Sequence, residues 1–326
     1  VFDCCQIKMS VSFEKGIFTL SLDFELIWGT ADLGLENFKS LCKIEREVVI
    51  DRLLKLFEKY ELSATWAILG HLFLDKCEAT HTEITRPNYS WTKEDWFAHD
   101  PGGVETAQSI HLGKSLVEKI RQCSVLQEIG SHSFSHIVFG DEGCSRETAE
   151  SEIAECVRIA DEQGIKLKSF VFPRNEVGYL DVLKKFDFAC YRGVEPNWYE
   201  NRQVSESVRR GLRLFDILRA ASPPTVLPKK TKEGLWNIPG SAMFFPMHGF
   251  RRHIPMSWRV KRCLKGLKSA ANEKKIFHLW FHPTNMVDEM EKMFAGLEEI
   301  LQYASNLRGQ GKLDFLTMGQ ICESLD

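Results

Sequence analysis

Six residues of this chain have the types and spacings from which a reaction centre could be built. They are Asp23 and Glu25 in "LDFE", His132 and His136 in "SHSFSH", Arg174 in "FPRN" and His282 in "WFHP". The two histidines stand four apart, which on a helix or helical turn puts both imidazoles on one face. Imidazoles so placed can share one ion at about 2.0–2.1 Å, and a carboxylate would complete a His–His–carboxylate set with open positions for water. The same pair also suits a helix N-terminus capped by Ser131, Ser133 and Ser135, and the spacing alone does not choose. Asp23 and Glu25, two apart, face one way on a strand. Leu20, Leu22, Phe24, Leu26 and Ile27 surround them, and a carboxylate in such company needs a cation or hydrogen bonds. Such a pair can divide labour, one member binding a metal while the other acts as a base. Strand-end carboxylates bonded to loop amides or to a lysine would read the same way.

The elements that must position these residues alternate. Strands are expected over 16–29, 63–73, 126–132, 167–175, 189–194, 231–241 and 276–286, with a last strand and helix in "LDFLTMGQICESL". Helices are expected over 38–62, 110–123, 145–165, 179–188, 255–275 and 287–308, from apolar residues at helical spacing. About seven strands alternating with helices predict an α/β fold on a parallel sheet, open or closed into a barrel. In such barrels reactive residues sit at the C-terminal ends of strands. All six candidates fall there. Residues 16–326 are expected to form one domain, with a polar, turn-rich insertion at about 75–109 and a disordered start at 1–15.

Composition narrows the function classes. The 326 residues are 44% hydrophobic and 27% charged, with 45 acidic and 42 basic residues, so the net charge of −3 gives nucleic-acid binding no support. The basic stretches at 209–219 and 257–270 read as solvated helix faces. Ten cysteines are scattered without a CxxC, a pattern that fits a reduced, cytoplasmic protein. The first residues have neither a basic nor an apolar leader region, and no apolar run is long enough for a membrane span. Among the aromatic residues, Trp28 and Trp198 are placed to line a cleft and stack on a sugar, whereas Trp66 and Trp280, inside strands, read as core. His71, His81, His99 and His111 lie on or near the insertion without an assigned role.

Taken in order, "SLDFE", "SHSFSH", "VFPRN", "NWY" at 197–199 and "HLWFHP" resemble the motifs of the polysaccharide deacetylase family, the NodB-homology or carbohydrate esterase family 4 group. The resemblance spans roughly residues 16 to 325 and implies a distorted (β/α) barrel of about seven strands. It implies Asp23 as general base, His132 and His136 as metal ligands, His282 as general acid, and Arg174 as the residue that orients and tunes Asp23. Glu25 takes the place of the metal-binding acid, separated from Asp23 by Phe24 where much of the family has two adjacent aspartates. This Asp-x-Asp/Glu variant occurs in branches acting on peptidoglycan or on small cyclic amides. The implied activity is removal of an N-acyl group, acetyl above all, from an amino sugar or polysaccharide precursor, with a divalent ion, zinc first, as cofactor. Two alternatives stand beside it: an amidohydrolase of the same fold acting on a non-sugar or cyclic amide, and a non-catalytic binding protein. A glycosidase is disfavoured, because it needs two acids on opposite sides of the bond.

Overall fold

The first strand sets the frame. β1 (Gly16–Phe24) is buried at all nine positions, as a strand covered on both faces of a parallel sheet must be. It pairs in parallel with β2 (Thr65–Ile68), β11 (Ile276–Phe281) and β12 (Leu313–Phe315). This computed structural model describes residues 11–30, 34–196, 208, 211, 212, 215 and 221–325. Beyond β2 the sheet continues through β5 (Glu128–Ser131), β6 (Ser169–Val171), β7 (Cys190–Arg192), β9 (Trp236–Asn237) and β8 (Lys229–Lys230), while β10 (Ala242–Met243) flanks β11. Among the described residues every pairing in this sheet is parallel except β8 with β9. Seven of its strands, β1, β2, β5, β6, β7, β11 and β12, have three or more residues. The result is an α/β half-barrel, a distorted (β/α) barrel whose end strands, β10 and β8, do not pair.

Helices cover the outside. Those bounded within the described residues include α1 (Lys39–Ile44), α2 (Ile50–Lys59), α3 (Lys114–Arg121), α4 (Arg146–Glu162), α5 (Leu180–Lys185), α6 (Met256–Glu273), α7 (Met290–Gly309) and α8 (Met318–Glu323). A π-helical turn, Glu45–Val49, joins α1 to α2 within the single helix expected there. Ser145 caps α4 by accepting from the Thr148 amide, as its place in the sequence predicts. Several expected strands are shorter than their apolar runs. After β1, β2, β6 and β11 the chain turns at once into 3₁₀ segments at Leu26–Thr30, Gly70–Phe73, Pro173–Asn175 and Pro283–Met286. These turns carry the strand-end residues into the barrel mouth.

Residues 75–109 contain only the two-residue strands β3 (Lys76–Cys77) and β4 (Gly103–Val104), paired antiparallel. Val11 and Phe13, expected in a disordered start, pack against a small cluster under the barrel floor that includes Ile17 and Ile321; residues 1–10 lie outside the described residues. So does most of the basic stretch at 209–219. The other basic stretch is not wholly solvated. Lys261 and Lys268 are exposed, but Arg259 turns inward and donates to the Phe245, Pro246, Arg251 and Ile254 carbonyls. The eight cysteines among the described residues are all unpaired. No helix of the described residues is long and apolar enough to cross a membrane.

Between β1 and β11 lies a buried polar pair. His278 Nδ1 faces the Pro239 carbonyl at 3.2 Å, which can only accept, so that nitrogen carries the proton. Its Nε2 then accepts from Ser21 at 2.9 Å. Burial, with the Arg192 charge next, pushes His278 down to about 3. Unfolded, the residue titrates near 6.5, so between these values only the unfolded chain binds the proton. The parent is therefore expected to lose about 2 kcal/mol between pH 6.5 and pH 5 that a His278→Gln variant does not lose. Urea melts across that range check this; parallel pH dependences for the two proteins would refute it.

Candidate active site

At the C-terminal end of β1 the Asp23 and Glu25 carboxylates are both buried. Arg192, on β7 across the half-barrel, holds Asp23 with two hydrogen bonds, Nη1 to Oδ1 at 2.6 Å and Nη2 to Oδ2 at 2.7 Å. The same guanidinium donates to Ser21 Oγ at 3.0 Å and Asn175 Oδ1 at 3.1 Å, and stacks 4.2 Å from the Trp280 ring centre. Burial would raise Asp23, but the Arg192 charge and its hydrogen bonds outweigh burial and hold the carboxyl below its usual range. Asp23 is thus ionised and fixed in one orientation.

Glu25 lies just past the strand, its carboxylate against the backbone of Gly29. A methyl group at Gly29 would fall inside the van der Waals radii of that carboxylate. His132 Nε2 and His136 Nε2 converge on Glu25 Oε2 at 3.3 and 2.8 Å. His132 Nδ1 donates to the Val171 carbonyl at 2.8 Å, which leaves Nε2 as the nitrogen free to bind. Glu25 Oε2 is buried and makes no hydrogen bond, although both imidazoles reach it. Burial, opposed chiefly by His136 and His282, leaves Glu25 well below the usual carboxylate range. His132 is pushed down by burial, and Glu25 and Asp23 reverse that and hold it up. One carboxylate oxygen and two imidazole nitrogens, all within 4.8 Å of one another, fit the edges of a tetrahedral site, about 3.3 Å for a zinc-sized ion. Glu45 lies fully buried near Glu25; burial and the Glu25 charge hold it well above its usual range.

The loop carrying both histidines is not a helix. His132 follows β5 directly, and Ser133 and His136 have φ of 64° and 65°. The serines cap no helix here; Ser133 Oγ instead accepts from the His136 amide at 3.0 Å. The loop is held from behind by Glu152 of α4, which accepts from the Phe134 and Ser135 amides at 2.9 Å each and from the Ser135 hydroxyl. The histidines therefore meet because this tight turn is braced, not because helical spacing aligns them.

His282 closes the set. Its Nε2 is 3.1 Å from Glu25 Oε1 and 3.8 Å from Asp23 Oδ2, and its side chain is 25% exposed, facing a cleft of about 350 Å³. Arg174 and Trp280 also line this cleft.

Three expectations need correction. Arg174 does not hold Asp23; it lies at the cleft rim with φ 56°, its guanidinium 5.3 Å from the Trp91 ring centre. Arg192 does that work, and from the "VFPRN" segment it is Asn175 that joins the network. The missed signal was an arginine inside the apolar strand "ACYRGV", which requires a buried counter-charge. Trp28 does not line the cleft. The turn after β1 swings it fully inward, against His71 at 4.3 Å and His99 at 4.8 Å between ring centres. Trp280, read as core, is buried but also borders the cleft, while Trp66 is core as expected. Trp198 lies outside the described residues.

No protein-family profile matches the chain, and no curated protein sequence matches it. Solved structures do. A protein described as a polysaccharide deacetylase from Mycobacterium smegmatis superposes with a TM-score of 0.60 at 13% identity, over 96% of this chain and 92% of that one. The allantoinase PuuE gives 0.59 at 11% identity, over 99% and 96%. A probable polysaccharide deacetylase from Pseudomonas aeruginosa PAO1 gives 0.58 at 13% identity, over 94% and 89%. At such identities the likeness is one of fold: the chain has the NodB-like fold of the polysaccharide deacetylases.

The two arginines are separable by stability. Arg192→Met leaves Asp23 buried without its partner and is expected to cost about 3–5 kcal/mol. Arg174→Ala is expected to cost about 1 kcal/mol or less. Equal losses in denaturant melts would contradict the assignment. Gly29→Ala is expected to cost about 1–3 kcal/mol and to bind a divalent ion about tenfold or more weakly, because it displaces the Glu25 carboxylate; unchanged affinity in a competition titration would show that Glu25 is not a ligand.

Proposed function

We propose that this protein is a metal-dependent hydrolase that removes an N-acyl group, acetyl above all, from an amino sugar or polysaccharide precursor. The observation that carries the reading is the convergence of Glu25, His132 and His136 beside an arginine-held Asp23 and a cleft-facing His282. Glu25, His132 and His136 would hold a divalent ion, zinc first, which when bound polarises a carbonyl and acidifies water. Asp23, kept ionised by Arg192, accepts the proton of the attacking water. His282, on the open side, gives a proton to the departing nitrogen, which is otherwise a poor leaving group. Arg192 does not touch substrate; it positions Asp23. Trp280 offers the cleft a ring face on which a sugar can stack.

The small cleft favours a second reading as well. A volume of about 350 Å³ is at the low end for ligand sites and suits a single small molecule, such as a cyclic amide. One of the structures sharing the fold is an allantoinase. Acetate release from N-acetylated amino sugars, set against ring opening of cyclic ureides, separates the two substrates. Under either, chelation is expected to abolish turnover and zinc to restore it. Asp23→Asn and His282→Asn are each expected to lower kcat by about 10²–10⁴ with metal content retained. Turnover that survives both substitutions would defeat this mechanism, and a metal-loaded protein inert on every amide would favour a binding role.

A further inference from the structure

A second cluster of metal-ligating side chains lies outside the active site. His71 stands in the 3₁₀ turn after β2, Cys77 on β3, His81 in the loop that follows, and Asp100 just before β4. All four are buried, and one ligand atom from each lies within 4.8 Å of the others. Three of them crowd a single carboxylate oxygen: Asp100 Oδ2 is 2.7 Å from His81 Nε2, 3.2 Å from His71 Nε2 and 3.3 Å from Cys77 Sγ. Cys77 Sγ is 3.5 Å from His81 Nε2.

The surroundings are arranged for a cation. His71 Nδ1 lies 2.8 Å from the His111 carbonyl, which only accepts, so in neutral His71 the proton sits there. Its Nε2 is then the nitrogen turned towards Asp100 Oδ2. The Ala79 amide donates to Cys77 Sγ at 3.3 Å and the Gly102 amide to Asp100 Oδ1 at 2.9 Å, so a backbone N–H reaches each of these two side chains from outside. Tetrahedral zinc with these ligands has edges of about 3.3–3.7 Å, close to the separations present.

We propose that His71, Cys77, His81 and Asp100 form a structural zinc site that staples the 75–109 segment to the end of β2. Four protein ligands with no solvent opening make a closed site, unlike the three-ligand centre at Glu25. The ligands come from both ends of a segment with almost no regular structure, and one ion would tie them together. The staple adjoins the active-site loop. The Gly70 and His71 amides donate to the Ser133 and Phe134 carbonyls at 2.7 and 3.0 Å, and Phe134 packs on His71 and His81. The segment also delivers Trp96, whose Nε1 donates to the Ser135 carbonyl at 2.9 Å.

The test is zinc content by mass spectrometry on the full chain after zinc incubation and dialysis, with cobalt substitution as a second readout. The parent is expected to hold about two ions, His132→Ala/His136→Ala about one, and Cys77→Ser/His81→Ala about one. Cobalt in the His132→Ala/His136→Ala protein is expected to show a cysteinate-to-cobalt charge-transfer band, a result that does not depend on whether the Cys77 variant folds. If that protein holds no zinc and gives no such band, the staple is overturned. One ion there, with the band, supports the staple even if the active-site reading fails, because the two sites share no ligand.

Discussion

The bidentate contact between Arg192 and Asp23 is the interaction on which the rest of the site depends. It joins β1 to β7 across the half-barrel, both partners nearly inaccessible. Asp23 and Glu25 leave the same buried strand end two residues apart. Two carboxylates so near each other, with Glu45 also close, could not all stay ionised without a fixed cation. Arg192 satisfies Asp23, the imidazoles face Glu25, and burial with the Glu25 charge raises Glu45 towards its neutral form. Both terminal nitrogens of the guanidinium are also met by Ser21 and Asn175, its plane lies on Trp280 while Nε has no partner among the described residues, and Ser21 leans on a neutral His278. A buried charge pair is costly unless its remaining donors are also met. Here three elements, β1, the turn after β6 and β11, supply partners to the arginine that β7 carries.

The second supporting unit is the braced loop from Ser131 to Ile137. Positive φ at Ser133 and His136 is unfavourable for residues with a side chain, and the conformation holds only because its surroundings determine it. Glu152 takes its amides from one side. The turn after β2 and the 75–109 segment take its carbonyls from the other. The insertion is thus part of the wall that gives His132 and His136 their geometry. Its own order must come from somewhere other than regular secondary structure, and the buried His71–Cys77–His81–Asp100 cluster is a polar contact that links it to the turn after β2.

Much of this was legible in the sequence. Buried parallel strands show as unbroken apolar runs, and helices show their period, so the alternation, and with it the parallel α/β class, could be read directly, while the barrel was implied by the resemblance of the motifs. The strand-end rule then picked out Asp23, Glu25, His132, His136 and His282, all of which the fold brings together. The lengths of the strands were less legible. An apolar run such as 16–29 does not reveal where its backbone leaves the sheet, because a buried 3₁₀ turn needs the same side chains as a buried strand.

What the sequence by itself determined was the inventory: which of the longer strands exist, which residues stand at their ends, and that two acids and three histidines among them needed partners. Only the tertiary structure decided who those partners are. Arg192 and Asp23 are 169 residues apart and meet because the sheet order sets β1 and β7 on facing walls, something no local spacing encodes. Arg174, more prominent in its motif, is turned to the rim by a left-handed backbone, and Trp28 turns inward while Trp280 borders the cleft for the same kind of reason. Periodicity reports the face of an element, but the direction of a side chain at a strand's end is set by the turn that follows. That turn is stabilised by contacts from distant parts of the chain.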